Sequence, residues 1–260
     1  RKEYGAFHLE LQDGNIIEEK KTILFRGQAK ENWKLKTTLE RKTKKKIHVG
    51  EYVTLVDRTV NEIESYTGKN WNFPSKPDFD KEIHDTQGAF RVHLPAYDYL
   101  VYLRHHGFPS PLLDWTESPF IAAYFAYISA QDDNPAVYCY IERPGFSKTG
   151  TGGESRITLQ GPFVSTHSRH FTQKAWYTVA TIWDYKEEKH YFCPHESIFS
   201  RDNPKQDILI KIVLPIKKRK EALVHLNDYN INHFTLFQTE DSLVKAIATK
   251  EFDIGDAFDF

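Results

Sequence analysis

Segment 105–126, HHGFPSPLLDWTESPFIAAYFA, carries the densest set of residues that could do chemistry. Asp114, Trp115 and Thr116 lie between a turn rich in glycine and proline and a stretch typical of a capped helix. A helix N-terminus favours negative charge, so a phosphate could bind there beside a carboxylate and a hydroxyl. Asp114 or Thr116 could equally cap the helix, and Trp115 could belong to the core. The residues alone leave these alternatives open, and their turn-rich surroundings predict that residues 113–116 lie in a loop.

Arg26 is a second candidate, because it ends an apolar run and is followed by Gly27. A guanidinium can form paired hydrogen bonds with phosphate or carboxylate, and a glycine can let a ligand approach the backbone. The alternative is a surface arginine beside a turn glycine, which the tripeptide alone favours. Polar residues at the ends of two distant apolar elements predict that Arg26 and Asp114 meet in one cleft.

Several other kinds of site are not indicated. The glycine-dense segment 149–155, TGTGGES, lacks the Lys-Ser/Thr of a P-loop and the spacing of a dinucleotide loop. The twelve histidines form no HExxH motif, and no serine lies in GxSxG. The two cysteines, Cys139 and Cys193, belong to no recognisable nucleophile motif. We therefore expect no metal site.

Composition sets wider bounds on the protein. With 260 residues, 40% of them hydrophobic, the chain can bury a sizeable core in one large domain. Its 35 basic and 36 acidic residues give a net charge of -1, so any attraction to nucleic acid must come from local patches. Two cysteines and the lack of a membrane-length apolar run favour a cytoplasmic protein. A start at Arg1 and the absence of methionine suggest a trimmed chain or a fragment.

Hydrophobic periodicity predicts the elements that position these residues. Strands are expected at 7–12, 22–28, 136–142 and 208–215, helices at 49–67, 95–107, 118–131 and 217–230, and a loop at 68–88. Segment 234–251 is expected to begin near a strand and end as a helix. In the helix at 118–131, Ser118 is the predicted N-cap and Pro119 the first helical residue. This order of elements predicts an α+β fold in a single domain.

The sequence resembles the FRG domain family, which is named for a Phe-Arg-Gly tripeptide. The residues that match its first motif are Phe25, Arg26, Gly27, Gln28, Trp33, Leu35 and Arg41. The second motif, a His-x-Gly-x-Pro turn followed by Leu-Leu-Asp-Trp-Thr, Ser-Pro and Ala-x-Tyr-Phe-Ala, is matched between His105 and Ala126. Arg104 stands where the family usually has glutamine.

A third motif of that family, Arg-x-x-x-Gln with an aromatic residue and threonine beyond, has two possible matches. Arg169 and Gln173 are followed by Tyr177 and Thr178, whereas Arg156 and Gln160 lack that continuation. We therefore favour the later match. The resemblance covers residues 22 to 250.

The family pattern in turn is similar to that of the ADP-ribosyltransferases. This resemblance implies an ADP-ribosyltransferase-like domain over residues 22–260, with a central split β-sheet flanked by helices, after an N-terminal strand or extension at 1–21. It implies NAD as the substrate. The catalytic residues would be Arg26, Asp114 and Gln173, and the NAD-binding residues would be Arg26, Gly27, His105, Asp114, Trp115, Thr116, Tyr124 and Gln173.

In the reaction that the resemblance implies, the bond between nicotinamide and ribose breaks through a state similar to that of glycoside hydrolysis. Arg26 would bind phosphate or ribose, and either Trp115 or Tyr124 would stack on a ring, whereas Phe125 is expected in the core. A glutamine cannot act as a general base, so Asp114, Glu154 or Glu196 would have to supply the carboxylate if Gln173 replaces the usual glutamate. Otherwise the enzyme would be weak or inactive.

The resemblance also implies a setting, namely a toxin or anti-phage effector that an antitoxin or regulatory protein could control. The acceptor would be protein or nucleic acid. Two basic runs, Lys42 to Lys46 and Lys217 to Lys220, could bind RNA phosphates, and Trp176 and Tyr177 could stack on bases. The alternatives are two solvated basic runs and, for the whole domain, a non-catalytic module that recognises a nucleotide or a protein partner.

Overall fold

The computed structural model describes residues 22–75, 77–79, 81, 94–142, 154–162, 164–165, 168–199 and 207–255. The strand predicted at 7–12 lies outside these residues, as do much of the loop predicted at 68–88 and most of segment 149–155. Helices and strands both occur, so the mixed fold predicted from the sequence is confirmed. Across the described part of the chain, no helix is both long enough and apolar enough to cross a bilayer.

Seven strands of the described residues form one antiparallel sheet. They are β1 (Ile23–Gln28), β2 (Leu113–Thr116), β3 (Ala136–Glu142), β4 (Arg156–Gln160), β5 (Ala175–Asp184), β6 (Lys189–Phe192) and β7 (Asp207–Val213). The order across the sheet is β4-β5-β2-β1-β3-β7, and β6 pairs with the second half of β5. The predicted strands at 22–28, 136–142 and 208–215 correspond to β1, β3 and β7.

The centre of the sheet is its weakest junction. β1 and β2 share a single aligned pair, Phe25 with Thr116. By contrast, β1 aligns with β3 along its whole length, from Ile23 to Gln28. The sheet therefore has two halves, one containing β2, β4, β5 and β6 and the other containing β1, β3 and β7.

The helices flank this sheet, and several of them begin after a residue whose side chain caps the helix. They are α1 (Thr38–Lys42), α2 (Val49–Thr67), α3 (Tyr97–His105), α4 (Pro119–Ile128), α5 (Arg169–Thr172), α6 (His195–Phe199), α7 (Arg219–Asp228), α8 (His233–Phe237) and α9 (Glu240–Ala248). The Ser118 hydroxyl accepts a hydrogen bond from the Ile121 amide at 3.3 Å, so the predicted N-cap of α4 is confirmed. α3 ends before Gly107, whose φ is +86°.

Two predictions about elements were wrong. Residues 113–116 form a strand, β2, although their turn-rich surroundings predicted a loop. Its four residues are too few to show a period, and β5 pairs with all of them. Residues 233–237 form helix α8 rather than the start of a strand, because the Asn232 side chain accepts a hydrogen bond from the Thr235 amide and caps a helix.

Helices cover the sheet in two separate clusters. α2 and α3 contribute Val53, Val56 and Leu100 to one of these cores. In the other cluster, Ile121 and Tyr127 of α4 pack with residues of α7 and α8. α4 also follows β2 directly in sequence and packs on β1, so it connects the two halves of the sheet.

Candidate functional site

A cavity of about 750 Å³ opens beside the junction of β1 and β2, and both Arg26 and Asp114 line it. The prediction that these two residues meet in one cleft is confirmed. Cavities of this size are common for small-molecule and cofactor sites in proteins.

Asp114 is held between two arginines. Arg26 Nη1 donates to the main-chain oxygen of Asp114 at 2.8 Å and lies 3.7 Å from its Oδ2. Arg104 Nη2, from the last turn of α3, donates to the same Oδ2. Burial acts to raise the pKa of Asp114, but the charges of Arg104 and Arg26 outweigh it, and the pKa lies below its usual value. The Asp114 carboxylate is therefore ionised at neutral pH.

The cavity wall carries a large excess of positive charge. Among the described residues that line it, Asp114 is the one carboxylate, against six basic residues: Arg26, Lys34, Lys36, Arg41, Arg104 and Arg169. In addition, the buried Nε atoms of Arg26 and Arg104 have no hydrogen-bond partner in the described structure. Buried polar atoms are normally satisfied, so this wall is suited to an anionic ligand.

The role of Gly27 differs from the one predicted. A Cβ at this position would lie 1.9 Å from the Ala122 oxygen and 2.6 Å from the Ala126 nitrogen, both in the backbone of α4. The missing side chain therefore lets α4 pack closely on β1, whereas we expected it to let a ligand approach. Gly27 also lines the cavity, but its need for glycine comes from the helix.

His105 lines the cavity as a neutral side chain. Its Nε2 lies 2.9 Å from the Tyr177 hydroxyl, in a hydrogen bond whose donor depends on the tautomer. Burial lowers the pKa of His105 to about 4, although the charge of Asp114 acts in the opposite direction. The C-terminal end of α3 favours a cation, but desolvation of His105 outweighs the helix dipole.

The third motif reaches the same cavity. Arg169 and Gln173 both line it, and Arg169 Nη1 donates to the His105 carbonyl oxygen at 3.1 Å. The Gln173 amide nitrogen donates to the Leu236 oxygen at 3.1 Å. By contrast, Gln160 of the other match is fully buried and does not line the cavity. The structure therefore favours the match that begins at Arg169.

Thr116 and Trp115 have structural hydrogen bonds. The Thr116 hydroxyl donates to the Gln173 oxygen at 2.7 Å and so fixes the start of β5 beside β2. Trp115 contributes to the cavity wall, but the residue is 3% exposed and its Nε1 donates to the Thr178 hydroxyl at 2.9 Å. The ring therefore presents little surface to the cavity, and its stacking on a ligand stays a prediction.

Tyr124 does not line the cavity, so its predicted contact with a ligand has no support from the position of its side chain. It is 2% exposed, packs in the cluster between α4, α7 and α8, and its hydroxyl lies 3.3 Å from His233 Nδ1. Its neighbour Phe125, which we expected in the core, lines the cavity instead and contacts Phe237 edge to face. The side of α4 that carries Ala122 and Phe125 thus faces the cavity, whereas its N-terminal residues do not line it.

Neither alternative carboxylate lies in the cavity wall. Glu196 Oε1 accepts a hydrogen bond from the Leu35 amide at 2.8 Å, which holds the chain before α1 in place. Glu154 does not line the cavity either. Asp114 is therefore the remaining candidate for the carboxylate that the reaction would need. The described residues contain no group of three His, Cys, Asp or Glu side chains that could hold a metal ion.

The two basic runs lie away from this cavity and form ion pairs. Lys45 contacts Glu51 at 2.8 Å, and Lys46 contacts Asp184 at 3.3 Å. The second run has similar partners, since Lys218 contacts Glu221 and Arg219 contacts Asp253. The contacts of the two runs support the interpretation of solvated, locally neutralised segments.

Sequence reasoning missed several residues of the cavity wall. Arg104 was visible only as a departure from the family pattern, and Phe237 gave no signal at all. Trp33 and Arg41 were visible only as family matches, and Lys34 lies beside Trp33 in the same motif. The signal that could have found this group is a tryptophan surrounded by unpaired cations directly after the Phe-Arg-Gly tripeptide.

No curated protein and no solved structure matches the chain. A match was found at the level of families: residues 21–135 match the family model of the FRG domain. The matched range runs from β1 to the residue before β3 and includes Arg26, Arg104 and Asp114. Arg169 and Gln173 lie beyond it. The cavity, with the Phe-Arg-Gly tripeptide and Asp114 in its wall, therefore lies largely within the range that matches the FRG domain.

Proposed function

We propose that the cavity binds NAD and that the domain uses NAD as a donor of ADP-ribose. The observation that carries this proposal is the pair of arginines, Arg26 and Arg104, that lie beside one ionised carboxylate in the wall of the cavity. A dinucleotide brings two adjacent phosphates, which need cationic partners, and a glycosidic bond whose cleavage creates positive charge, which needs an anion nearby.

Arg26 and Arg104 are the natural partners of the pyrophosphate. Both are largely buried, with side chains 16% and 17% exposed. Both also have a buried Nε atom without a partner. A phosphate oxygen could accept from these atoms while each arginine keeps its contact with Asp114. Phe125 and Phe237 supply an aromatic wall against which a flat ring can pack.

Asp114 would stabilise the positive charge that develops on the ribose. The bond between ribose C1 and the nicotinamide nitrogen breaks, and both electrons leave with nicotinamide. A nucleophile of the acceptor then bonds to C1 and releases its proton to solvent. Because the pKa of Asp114 is lowered, its negative charge is present throughout the physiological range.

A second candidate function is nucleotide recognition without catalysis. It is favoured by the contacts of the two side chains that the chemistry would need. Asp114 is paired with both Arg26 and Arg104, and the Gln173 amide donates to Leu236. Neither is positioned to take a proton from an acceptor, so the domain could bind NAD or a related nucleotide as a signal.

One experiment separates these functions. Calorimetry measures NAD binding, and incubation with labelled NAD and cell lysate measures transfer, for the wild type, Arg26→Ala and the surface control Lys45→Ala. Binding and transfer that are lost in Arg26→Ala and kept in Lys45→Ala support the transferase. Binding without release of nicotinamide supports the recognition module, and a wild type that does not bind NAD would contradict both.

A further inference from the structure

Five of the exposed residues that line the cavity follow β1 closely in sequence, and we call them the entrance: Asn32, Trp33, Lys34, Lys36 and Arg41. Trp33 is 48% exposed, which is unusual for the largest apolar side chain. An aromatic ring that is open to solvent can serve as a platform on which an unpaired base stacks.

The backbone of the entrance is fixed although its side chains are exposed. Leu35 is fully buried, and its amide donates to Glu196 Oε1 at 2.8 Å. The Tyr138 hydroxyl donates to the Trp33 oxygen at 3.2 Å. The indole of Trp33 is therefore presented on a rigid segment, and little backbone entropy would be lost when a flat ring stacks on it.

The cations of the entrance have no acidic partner among the described residues. No carboxylate lies within ion-pair distance of Lys34, Lys36 or Arg41 there, whereas Lys45 and Lys46 each have one. The entrance therefore presents uncompensated positive charge, and the two basic runs do not. An exposed aromatic ring among unpaired cations is the arrangement with which proteins bind single-stranded nucleic acid without reading its sequence.

We infer that the entrance binds single-stranded nucleic acid, with a base stacked on Trp33 and phosphates beside Lys34, Lys36 and Arg41. The inference rests on the proposed function and names its acceptor class. The strand would extend from the entrance towards NAD held at Arg26. A nucleophilic oxygen or nitrogen of the strand would bond to ribose C1 as nicotinamide leaves with the electron pair, and its proton would pass to solvent.

Binding is tested with fluorescently labelled 12-nucleotide RNA and DNA, read by anisotropy at several salt concentrations. We expect Trp33→Ala to weaken binding about tenfold, which is the size of one base–aromatic stack. The variant Trp33→Phe should keep most of the wild-type affinity for the oligonucleotides. The double variant Lys34→Ala/Lys36→Ala should lower the slope of log affinity against log salt by about 1.4, since each cation contributes about 0.7 with single strands.

The matched control is Lys45→Ala/Lys46→Ala, which removes the same charge from the ion-paired run. If the control weakens binding as much as the entrance variant, or if the wild type binds neither RNA nor DNA, the inference is wrong. NAD affinity is measured separately by calorimetry and should be unchanged in Trp33→Ala. A loss of NAD affinity in this variant would place Trp33 in the donor site and overturn the assignment.

Transfer is then followed with labelled NAD and the same oligonucleotides. Label on RNA or DNA that is lost in the entrance variants supports the acceptor role, and the two oligonucleotides show which sugar is preferred. Label that appears in protein and not in the oligonucleotides would overturn it. Intact NAD binding with no nucleic-acid binding would reject only this inference, whereas failure of NAD to bind would reject the proposed function.

Discussion

Arg26 Nη1 donates to the main-chain oxygen of Asp114 at 2.8 Å, across the junction where β1 and β2 share one aligned pair. A side chain thus makes a hydrogen bond at the place where the two strands have little pairing of their own. The same guanidinium lines the cavity. Any ligand that binds Arg26 therefore acts directly on the contact between the two halves of the sheet.

Asp114→Asn is expected to strengthen the binding of inorganic pyrophosphate and to abolish ADP-ribosyl transfer. The substitution removes the counter-charge of Arg26 and Arg104, so both become available to phosphate. We expect affinity to rise about tenfold, which is at the lower end for close charge pairs. Calorimetry with pyrophosphate and release of nicotinamide from NAD measure the two effects. Asp184→Asn, at a surface ion pair, is the control, and a weaker affinity in Asp114→Asn would contradict the prediction.

His105→Gln should reduce the loss of stability that follows acidification. In the folded protein the pKa of His105 is about 4, whereas an unfolded histidine has a pKa of about 6.5. Between these values the unfolded state binds more protons, so the free energy of unfolding falls as pH drops from about 6.5 towards 4. Urea unfolding at pH 7 and pH 5 measures the difference. An unchanged pH dependence in His105→Gln would contradict the assignment.

Gly27→Ala should destabilise the domain by about 3 kcal/mol, the upper part of the range for overpacking. The added Cβ would meet the backbone of α4, with the Ala122 oxygen at 1.9 Å. Because that atom is main chain, shortening the facing side chain in Gly27→Ala/Ala122→Gly should not restore stability. Urea unfolding tests both variants. Full rescue by the double variant would mean that side-chain crowding, and not the close approach of the helix, requires glycine here.

Gln173→Glu should lower stability without creating a better enzyme. The amide nitrogen of Gln173 donates to the Leu236 oxygen, and a carboxylate at this place would face that oxygen without a proton to donate. We expect a loss of about 2 kcal/mol, compared with about 1 kcal/mol for Gln173→Ala, which only removes the bond. Release of nicotinamide by Gln173→Glu above the wild-type rate would show that this position works as the missing carboxylate.

The elements that the sequence predicted well are those with local signals. α2 was predicted from its apolar period and extends from Val49 to Thr67 as expected. α4 was predicted from Ser118 and Pro119. Capping and periodicity are properties of neighbouring residues, so they can be read without knowing the tertiary structure.

The errors concern contacts between distant segments. Whether Tyr124 or Phe125 faces the cavity depends on which side of α4 is covered by α7 and α8. These two helices come more than 90 residues after α4 in the sequence. Similarly, Lys46 is neutralised by Asp184, 138 positions away. Sequence patterns placed Arg26 and Asp114 in one site, but Trp115 packs in a core built from several strands and donates a hydrogen bond to Thr178, 63 positions away.

The Phe-Arg-Gly tripeptide also has a consequence for cooperativity. Phe25 forms the aligned pair with Thr116, Arg26 bonds to Asp114, and Gly27 admits α4. These three consecutive residues each add a contact between the two halves of the sheet, next to the hydrophobic cluster that joins them. A ligand that binds only the folded state, at about 100 times its dissociation constant, raises the free energy of unfolding by about 2.7 kcal/mol. At this junction that energy would decide whether the domain melts in one transition or in two.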